Sequence, residues 1–181
     1  SMPEITFSVV VSNFNGETFL REALASAISQ TLQPIEIIIV DDGSRDHSVA
    51  IVEEIARESE VPIVLMKHGV NLGQAAGFNT AMSCATGDYI ALLDSDDFWF
   101  ENKLEMVTEL IHLQPEAAIY QHDLVLVDGA IVTSKTARPY LLAGDVLQFM
   151  VEVNDLGWFA PSSGLVFPSH VLRKVLPMPT E

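Results

Sequence analysis

Tyr89-Ile90-Ala91-Leu92-Leu93-Asp94-Ser95-Asp96-Asp97 joins a short apolar run directly to three carboxylates within four residues. The apolar part has no polar alternation, so it reads as a strand, Tyr89 to Leu93, covered on both faces. Its exit is acidic, and the same plan recurs on the N-terminal side. Ile63 to Met66, entered through Pro62, is a second such run; Glu36 to Val40 is a third; the β-branched stretch Ile5 to Val11 is a fourth.

Between these runs the apolar spacing changes to that of helices. Phe19 to Gln30 places Phe19, Leu20, Ala23, Leu24, Ala27 and Ile28 on one face. Asp46 to Glu58 opens on a capping Asp or Ser and carries Val49, Val52, Ile55 and Ala56. Gln74 to Ala85 reads as a helix of small residues stopped at Gly87, and Glu101 to Leu113 as a helix ended by Gln114-Pro115. Strand and helix therefore alternate over about the first 115 residues, which predicts an α/β fold with a mostly parallel central sheet and helices on both faces.

After Pro115 the pattern changes to a mixed α+β extension. Ala118 to Val127 and Ala130 to Thr133 flank Asp128-Gly129, a hairpin signal. Gly144 to Val153 is expected as a helix, Gly164 to Phe167 as a strand and Ser169 to Val175 as a short helix. With no internal repeat and no low-complexity linker, residues 1–181 are expected to form a single domain.

Composition narrows the function. Of 181 residues 49% are hydrophobic, which excludes a disordered chain. Nine Lys and Arg against 25 Asp and Glu give a net charge of −16, which repels phosphate backbones and anionic lipid and so argues against nucleic acid as a partner. Any phosphate-bearing ligand meets the same repulsion, and a divalent cation would relieve it. One cysteine, Cys84, excludes an internal disulfide and fits a reducing compartment. No stretch is long enough to span a bilayer, and no basic region precedes the first apolar run, so a signal peptide is not expected. Ser1 ahead of Met2 reads as an expression remnant.

In an open parallel sheet, ligands bind beyond the carboxyl ends of the strands. The four loops there are Ser12-Asn13-Phe14-Asn15-Gly16, Asp41-Asp42-Gly43-Ser44, His68 to Gln74, and Asp94 to Asp97, all polar and all expected on one edge. Asp94, Asp96 and Asp97 repel one another unless a hard divalent cation sits among their oxygens. The alternative is a solvated turn capping the next helix, but the apolar support of Phe98-Trp99-Phe100 favours a metal site. Asp41 and Asp42 can accept from a base N–H such as uracil N3; the alternative for this loop is helix capping ahead of Asp46, which Ser44 or Asp46 can do alone. Phe14 can stack on a base, with Ser12 and Asn15 hydrogen-bonding beside it, or belong to the core. Gly73 and Gly77, with Ala75 and Ala76, allow either close backbone approach to a ligand or tight helix–sheet packing. His68, His112, His122 and His170 are scattered and are not expected to bind metal; Cys84 reads as core rather than nucleophile.

Taken in order, Ser8 to Asn15, Leu20-Arg21-Glu22-Ala23-Leu24, Ser29-Gln30-Thr31, Glu36 to Ser44, Asn71-Leu72-Gly73, Asn79-Thr80-Ala81 and Ala85 to Asp97 resemble the family-2 glycosyltransferases with the GT-A fold. The resemblance covers Ile5 to about Leu113 and is diffuse beyond. It implies a Rossmann-like three-layer sandwich, with residues 1–115 as the nucleotide-sugar-binding half and 116–181 as a partial acceptor-side half. It also implies metal-dependent, inverting transfer of a sugar from a nucleoside-diphosphate sugar, a UDP-sugar first, to a glycan or glycolipid acceptor. By the same analogy Asp96 is the main ligand of Mg²⁺ or Mn²⁺ with Asp94 and Asp97 beside it, and Asp42 contacts the base with Asp41 supporting it. Ser12, Phe14, Asn15, Gly73, Asp94 and Ser95 complete the nucleotide site. A role in cell-envelope polysaccharide synthesis follows, cytoplasmic or peripheral at the membrane.

Two departures from the family stand out. Its usual Pro-Thr-Tyr-Asn is Ser12-Asn13-Phe14-Asn15 here, which loses a hydroxyl but keeps the stacking ring. Phe78 stands where many members carry an Arg before Asn79, which places more of the diphosphate's charge on the cation. The base that deprotonates the acceptor is expected beyond Glu181, which would make this a C-terminally truncated domain. The alternative function is a nucleotide-sugar-binding fragment or module without turnover. A sugar-phosphate nucleotidyltransferase is disfavoured, since Ser12 to Glu17 carries no basic residue.

Overall fold

The computed structural model describes residues 3–121, 138–140 and 162–177. The first half alternates as expected: β1 (Phe7–Asn13), α1 (Glu17–Ile28), β2 (Glu36–Asp41), α2 (Ser48–Glu58), β3 (Ile63–Lys67), α3 (Gln74–Met82), β4 (Tyr89–Asp94) and α4 (Lys103–Leu113). Then come β5 (Ile119–Gln121), β6 (Arg138–Tyr140), a 3-10 turn (Ser162–Gly164), β7 (Leu165–Pro168) and α5 (Ser169–Val175). The described strands form a seven-stranded sheet in the order β3-β2-β1-β4-β7-β5-β6.

β3, β2, β1 and β4 pair in parallel, whereas β7, β5 and β6 add antiparallel pairs. The mostly parallel sheet is thus purely parallel over its first four strands, and the C-terminal strands extend the same sheet. The hairpin turn at Asp128-Gly129 and the helix expected over Gly144 to Val153 lie outside the described residues.

The three layers follow from strand alternation. Val9, Val11, Ile37, Ile39, Ala91 and Leu93 pack on one face against Leu20 and Leu24 of α1, Val52 of α2, and Leu104, Val107 and Ile111 of α4. Val10, Ile38, Val40, Ile90 and Phe167 pack on the other against Ala81 and Met82 of α3 and Leu172 of α5. Both faces are covered, which is why these strands read as unbroken apolar runs. Each fully buried Ile, Leu or Val contributes about 1.5–3 kcal/mol from transfer alone. β3 is the exception: it is the sheet edge, so Val64 remains 37% exposed.

Several element ends differ from the sequence reading. β1 starts at Phe7 rather than Ile5 and continues to Asn13, because its last residue pairs with Asp41. α1 begins at Glu17 and stops at Ile28. Gln30, expected inside it, is instead buried: its amide donates to the Ser26 and Phe100 carbonyls, and its Oε1 accepts from Leu104 N–H at 3.0 Å. α3 ends at Met82, where the Ser83 N–H turns back to Asn79 and Thr80. Gly87 is therefore no helix stop. A Cβ there would lie 2.4 Å from the Ser8 nitrogen, so glycine admits the close approach of β1. α4 starts at Lys103, two residues later than expected. α2 starts at Ser48, two residues later than expected, with His47 and not Asp46 or a Ser as its N-cap; Asp46, one residue further out, meets the Ser48 N–H with its carboxylate at 2.9 Å.

Candidate functional site

The parallel register brings the strand exits level. Ser12 of β1 is opposite Asp94 of β4, Asn13 opposite Asp41 of β2, and Asp41 opposite Lys67 of β3. The chain moves outward from β1 through β2 to β3, then returns to place β4 on the other side of β1. The order reverses between β1 and β4, and the crevice at such a switch point is where open α/β sheets take ligands. The two loops meet there. A Cβ on Gly16 would stand 2.3 Å from Asn13 Oδ1 and 2.7 Å from Ser95 Oγ, so any side chain there would have to displace Asn13 and Ser95.

The loop after β2 is dense with hydrogen bonds. Asp41 is buried; its Oδ2 accepts from Asn13 Nδ2 at 3.0 Å and its Oδ1 from the Ser44 N–H at 2.9 Å. Ser44 Oγ in turn accepts from the N–H of Asn15, which holds φ at 50°. Asn15 Oδ1 accepts from the Arg45 N–H. Asp42, also buried, reaches toward the β3 exit: Oδ1 accepts from Leu72 N–H at 2.8 Å, and Oδ2 from Gly73 N–H at 2.9 Å. His68 Nδ1 lies 2.9 Å from Asp42 Oδ1, and its Nε2 lies 2.9 Å from Thr80 Oγ1. A neutral ring protonated on Nδ1 satisfies both contacts, donating to Asp42 and accepting from Thr80. Burial pushes the Asp42 carboxyl up, but the Leu72 amide, His68 and the Gly73 amide outweigh it and hold it below the ordinary aspartate value. Gly43, at φ +81°, lets this loop lie against the next: a Cβ there would meet the Val70 carbonyl carbon at 2.8 Å.

The loop after β4 is open by comparison. Asp94 and Asp97 are half-buried and Asp96 is exposed, and one carboxylate oxygen from each lies within 4.8 Å of the others. Three hard oxygen donors at that spacing suit a divalent cation. The loop is held from below. Asp97 N–H donates to the Asp94 carbonyl, and Ser163, in the 3-10 turn before β7, donates its hydroxyl to Asp97 Oδ2 at 2.5 Å. Trp99 is buried, whereas its neighbours Phe98 and Phe100 face solvent in an edge-to-face pair.

The structure thus brings Ser12, Asn15, Asp41, Asp42, Gly73, Asp94, Ser95, Asp96 and Asp97 to one edge. Phe14 is there too, 52% exposed rather than part of the core. Gly73 takes φ +89° ahead of α3 and turns its N–H to Asp42, so its permissive backbone serves the neighbouring loop. Cys84 falls in the turn after α3; burial pushes its thiol up, and its sulfur packs 3.6 Å from Met66 Sδ, which is no setting for a nucleophile. Two residues at this edge are not singled out by the sequence. His68 was one of several scattered histidines, and Ser163 is more than sixty residues from the loop it braces.

Comparisons with known proteins agree with this geometry. A family model described as Glycosyl transferase family 2 matches residues 8–150. An uncharacterized glycosyltransferase of Nostoc sp. is 33% identical over 174 residues, covering 94% of this chain and 53% of the relative. The UDP-Glc:alpha-D-GlcNAc-diphosphoundecaprenol beta-1,3-glucosyltransferase WfaP of Escherichia coli is 30% identical over 142 residues, covering 78% of this chain and 55% of that one. The chain spans about half the length of the curated relatives it matches. Among solved structures, S. aureus TarS 1-349 in complex with UDP aligns with a TM-score of 0.71 at 22% identity, over 94% of this chain and 49% of that one. The mannosyltransferase PcManGT from Pyrobaculum calidifontis, in complex with GDP-Man and Mn²⁺, aligns with a TM-score of 0.73 at 18% identity, over 99% of this chain and 49% of its own. These two share the fold, a three-layer GT-A sandwich.

Proposed function

This chain belongs to glycosyl transferase family 2, and from that premise we propose that it transfers a sugar from a nucleoside-diphosphate sugar to an acceptor hydroxyl, with inversion and with a divalent cation. The observation that carries the reading is the triad Asp94, Asp96 and Asp97, with one oxygen from each within 4.8 Å, beside the switch point of the sheet. In a chain of net charge −16, that edge would repel a diphosphate on its own. Asp96, with Asp94 and Asp97, is the set that would hold Mg²⁺ or Mn²⁺, and the bound cation supplies positive charge to a departing diphosphate.

The chain's own residues have separate tasks in this reading. Phe14 offers an exposed ring to the base, with Ser12, Asn15 and Ser95 around it. Asp42 reads the base N–H. Its oxygens have about four acceptor positions; Leu72, His68 and Gly73 take three, which leaves one directed acceptor for a ligand. Asp41 keeps that loop in place through Asn13 and Ser44.

A uridine donor is favoured. TarS was solved with UDP and with UDP-GlcNAc, and WfaP is named for UDP-Glc, whereas PcManGT carries GDP-Man. The acceptor is proposed to be a glycan or glycolipid of the cell envelope; WfaP is named for a diphosphoundecaprenol-linked acceptor. The setting is cytoplasmic or peripheral at a membrane; no helix among the described residues is long and apolar enough to cross one. Inverting displacement also needs a base for the acceptor proton, which the proposal assigns to none of the described residues.

Calorimetric titration with UDP, GDP, CMP and dTDP, with and without Mn²⁺, tests the reading. UDP is expected to bind, and to bind tighter with the cation. If none of the four shows cation-dependent binding, the donor-site reading is wrong.

A further inference from the structure

Ser163 is fully buried in the 3-10 turn that precedes β7. Its hydroxyl accepts from the Asp94 N–H at 2.9 Å and donates to Asp97 Oδ2 at 2.5 Å. Its carbonyl accepts from the Trp99 indole N–H at 2.8 Å and from Lys103 Nζ at 3.0 Å. One residue therefore holds four points of the segment from Asp94 to Lys103. The lysine is an unusual choice for such a position. It is 2% exposed, its Nζ stands 4.4 Å from the centre of the Trp99 ring, and burying a lysine amine is costly unless its donors are met. An apolar side chain of similar length would fill the same space without that cost, so packing alone does not account for it.

The arrangement has a direction. The hydroxyl ties together the first and last residues of the acidic triad, one through its backbone and the other through its carboxylate. The carbonyl anchors the hydroxyl's own position to the first turn of α4 and to the indole beneath the loop. Carboxylates that repel one another drift apart unless something fixes them, and outer-sphere hydrogen bonds are what orient carboxylate ligands.

We propose that Ser163 is a positioning residue for cation binding, setting the spacing of Asp94, Asp96 and Asp97 from the C-terminal part of the sheet, with Trp99 and Lys103 holding it in place. This rests on the reading of that triad as the cation site. It goes beyond it in one respect: the site is then not built by residues 1–115 alone, but is completed when the turn at 162–164 docks beside β4.

Mn²⁺ binding followed by electron paramagnetic resonance separates the two ideas. The native chain is expected to bind Mn²⁺, and Ser163→Ala to bind it about 10-fold or more weakly, the usual effect of losing an outer-sphere partner. Ser163→Ala leaves the carbonyl bonds to Trp99 and Lys103 intact but orphans the Asp94 N–H, so some fall in its melting temperature in EDTA is expected, and Mn²⁺ affinity is compared at a temperature where both chains are folded. Native binding with unchanged affinity in Ser163→Ala overturns the inference and leaves the cation site standing. No Mn²⁺ binding by the native chain overturns both. If Ser163→Ala does not fold, Trp99→Phe replaces it: this removes only the indole N–H from the Ser163 carbonyl, and about a threefold loss of Mn²⁺ affinity is expected. Unchanged affinity in a folded Trp99→Phe then overturns the inference.

Discussion

Two acidic loops leave the same edge of this sheet, and they spend their carboxylates in opposite ways. Asp41 and Asp42 are buried, and each oxygen accepts from a donor of the protein: Asn13, Ser44, Leu72, Gly73 or His68. Asp94, Asp96 and Asp97 lie close to one another with Asp96 exposed. The first loop solvates its charge with N–H groups from three segments and becomes a brace between β1, β2 and the exit of β3. The second keeps its charge concentrated. Adjacent acidic residues after a strand are thus two different devices, told apart by what donates to them.

The comparison breaks most visibly at Asp96 and Asp42. Asp96→Ala is expected to lower cation-dependent UDP affinity on the order of 100-fold or more, since a direct ligand is lost. Its folding stability should change by no more than about 0.5 kcal/mol, as for other exposed positions. Asp42→Ala should also weaken UDP, since the same carboxylate reads the base, but unlike Asp96→Ala it should lower stability in urea titration by about 1–3 kcal/mol through the buried donors it orphans. If Asp96→Ala unfolds the chain while Asp42→Ala does not, the two loops have been assigned the wrong way round.

Acid sharpens the same contrast. The Asp42 carboxyl is held below the ordinary aspartate value, so the unfolded chain takes up that proton first as pH falls. Its contribution to stability is therefore complete above the ordinary aspartate pKa of about 3.9 and is lost as pH drops through the lowered folded value. Asp42→Asn should flatten that part of the stability–pH curve. An acid limb identical to native would mean that the carboxylate is not charged in the folded state. The smallest effect is expected at Phe14, which is 52% exposed. Phe14→Ala should leave the melting temperature unchanged and weaken UDP about 5- to 10-fold, toward the low end of base–aromatic stacking. Unaltered affinity would remove Phe14 from the base site.

The legible part of the fold was local. Unbroken apolar runs marked β1 to β4 because both sheet faces are covered, and helical spacing marked α1, α2 and α4 because one stripe of each meets the sheet. The misjudged ends were places where a long-range bond replaces a local one. Gln30 looked like the last turn of α1 until its amide was seen to join the Phe100 and Leu104 backbone. Gly87 looked like a helix stop, yet it is required by the approach of Ser8. The candidate site divided in the same way. Its acidic residues could be picked out because they follow strands, but His68 and Ser163 could not, since neither has a neighbour in sequence that explains it.

By itself, then, the sequence determined that strands and helices alternate, that four polar loops follow the strands, and that two of those loops are rich in carboxylate. Those features are written in spacing and residue type, which act over a turn or a strand. The tertiary structure alone decided that β1 and β4 are neighbours with Ser12 opposite Asp94, that three antiparallel strands widen the sheet, and that Ser163 reaches back to Asp97. It also decided which acidic loop is braced by buried hydrogen bonds and which lies open. The physical reason is that a carboxylate's role depends on the donors around it, and here most of those donors come from residues more than twenty-five positions away.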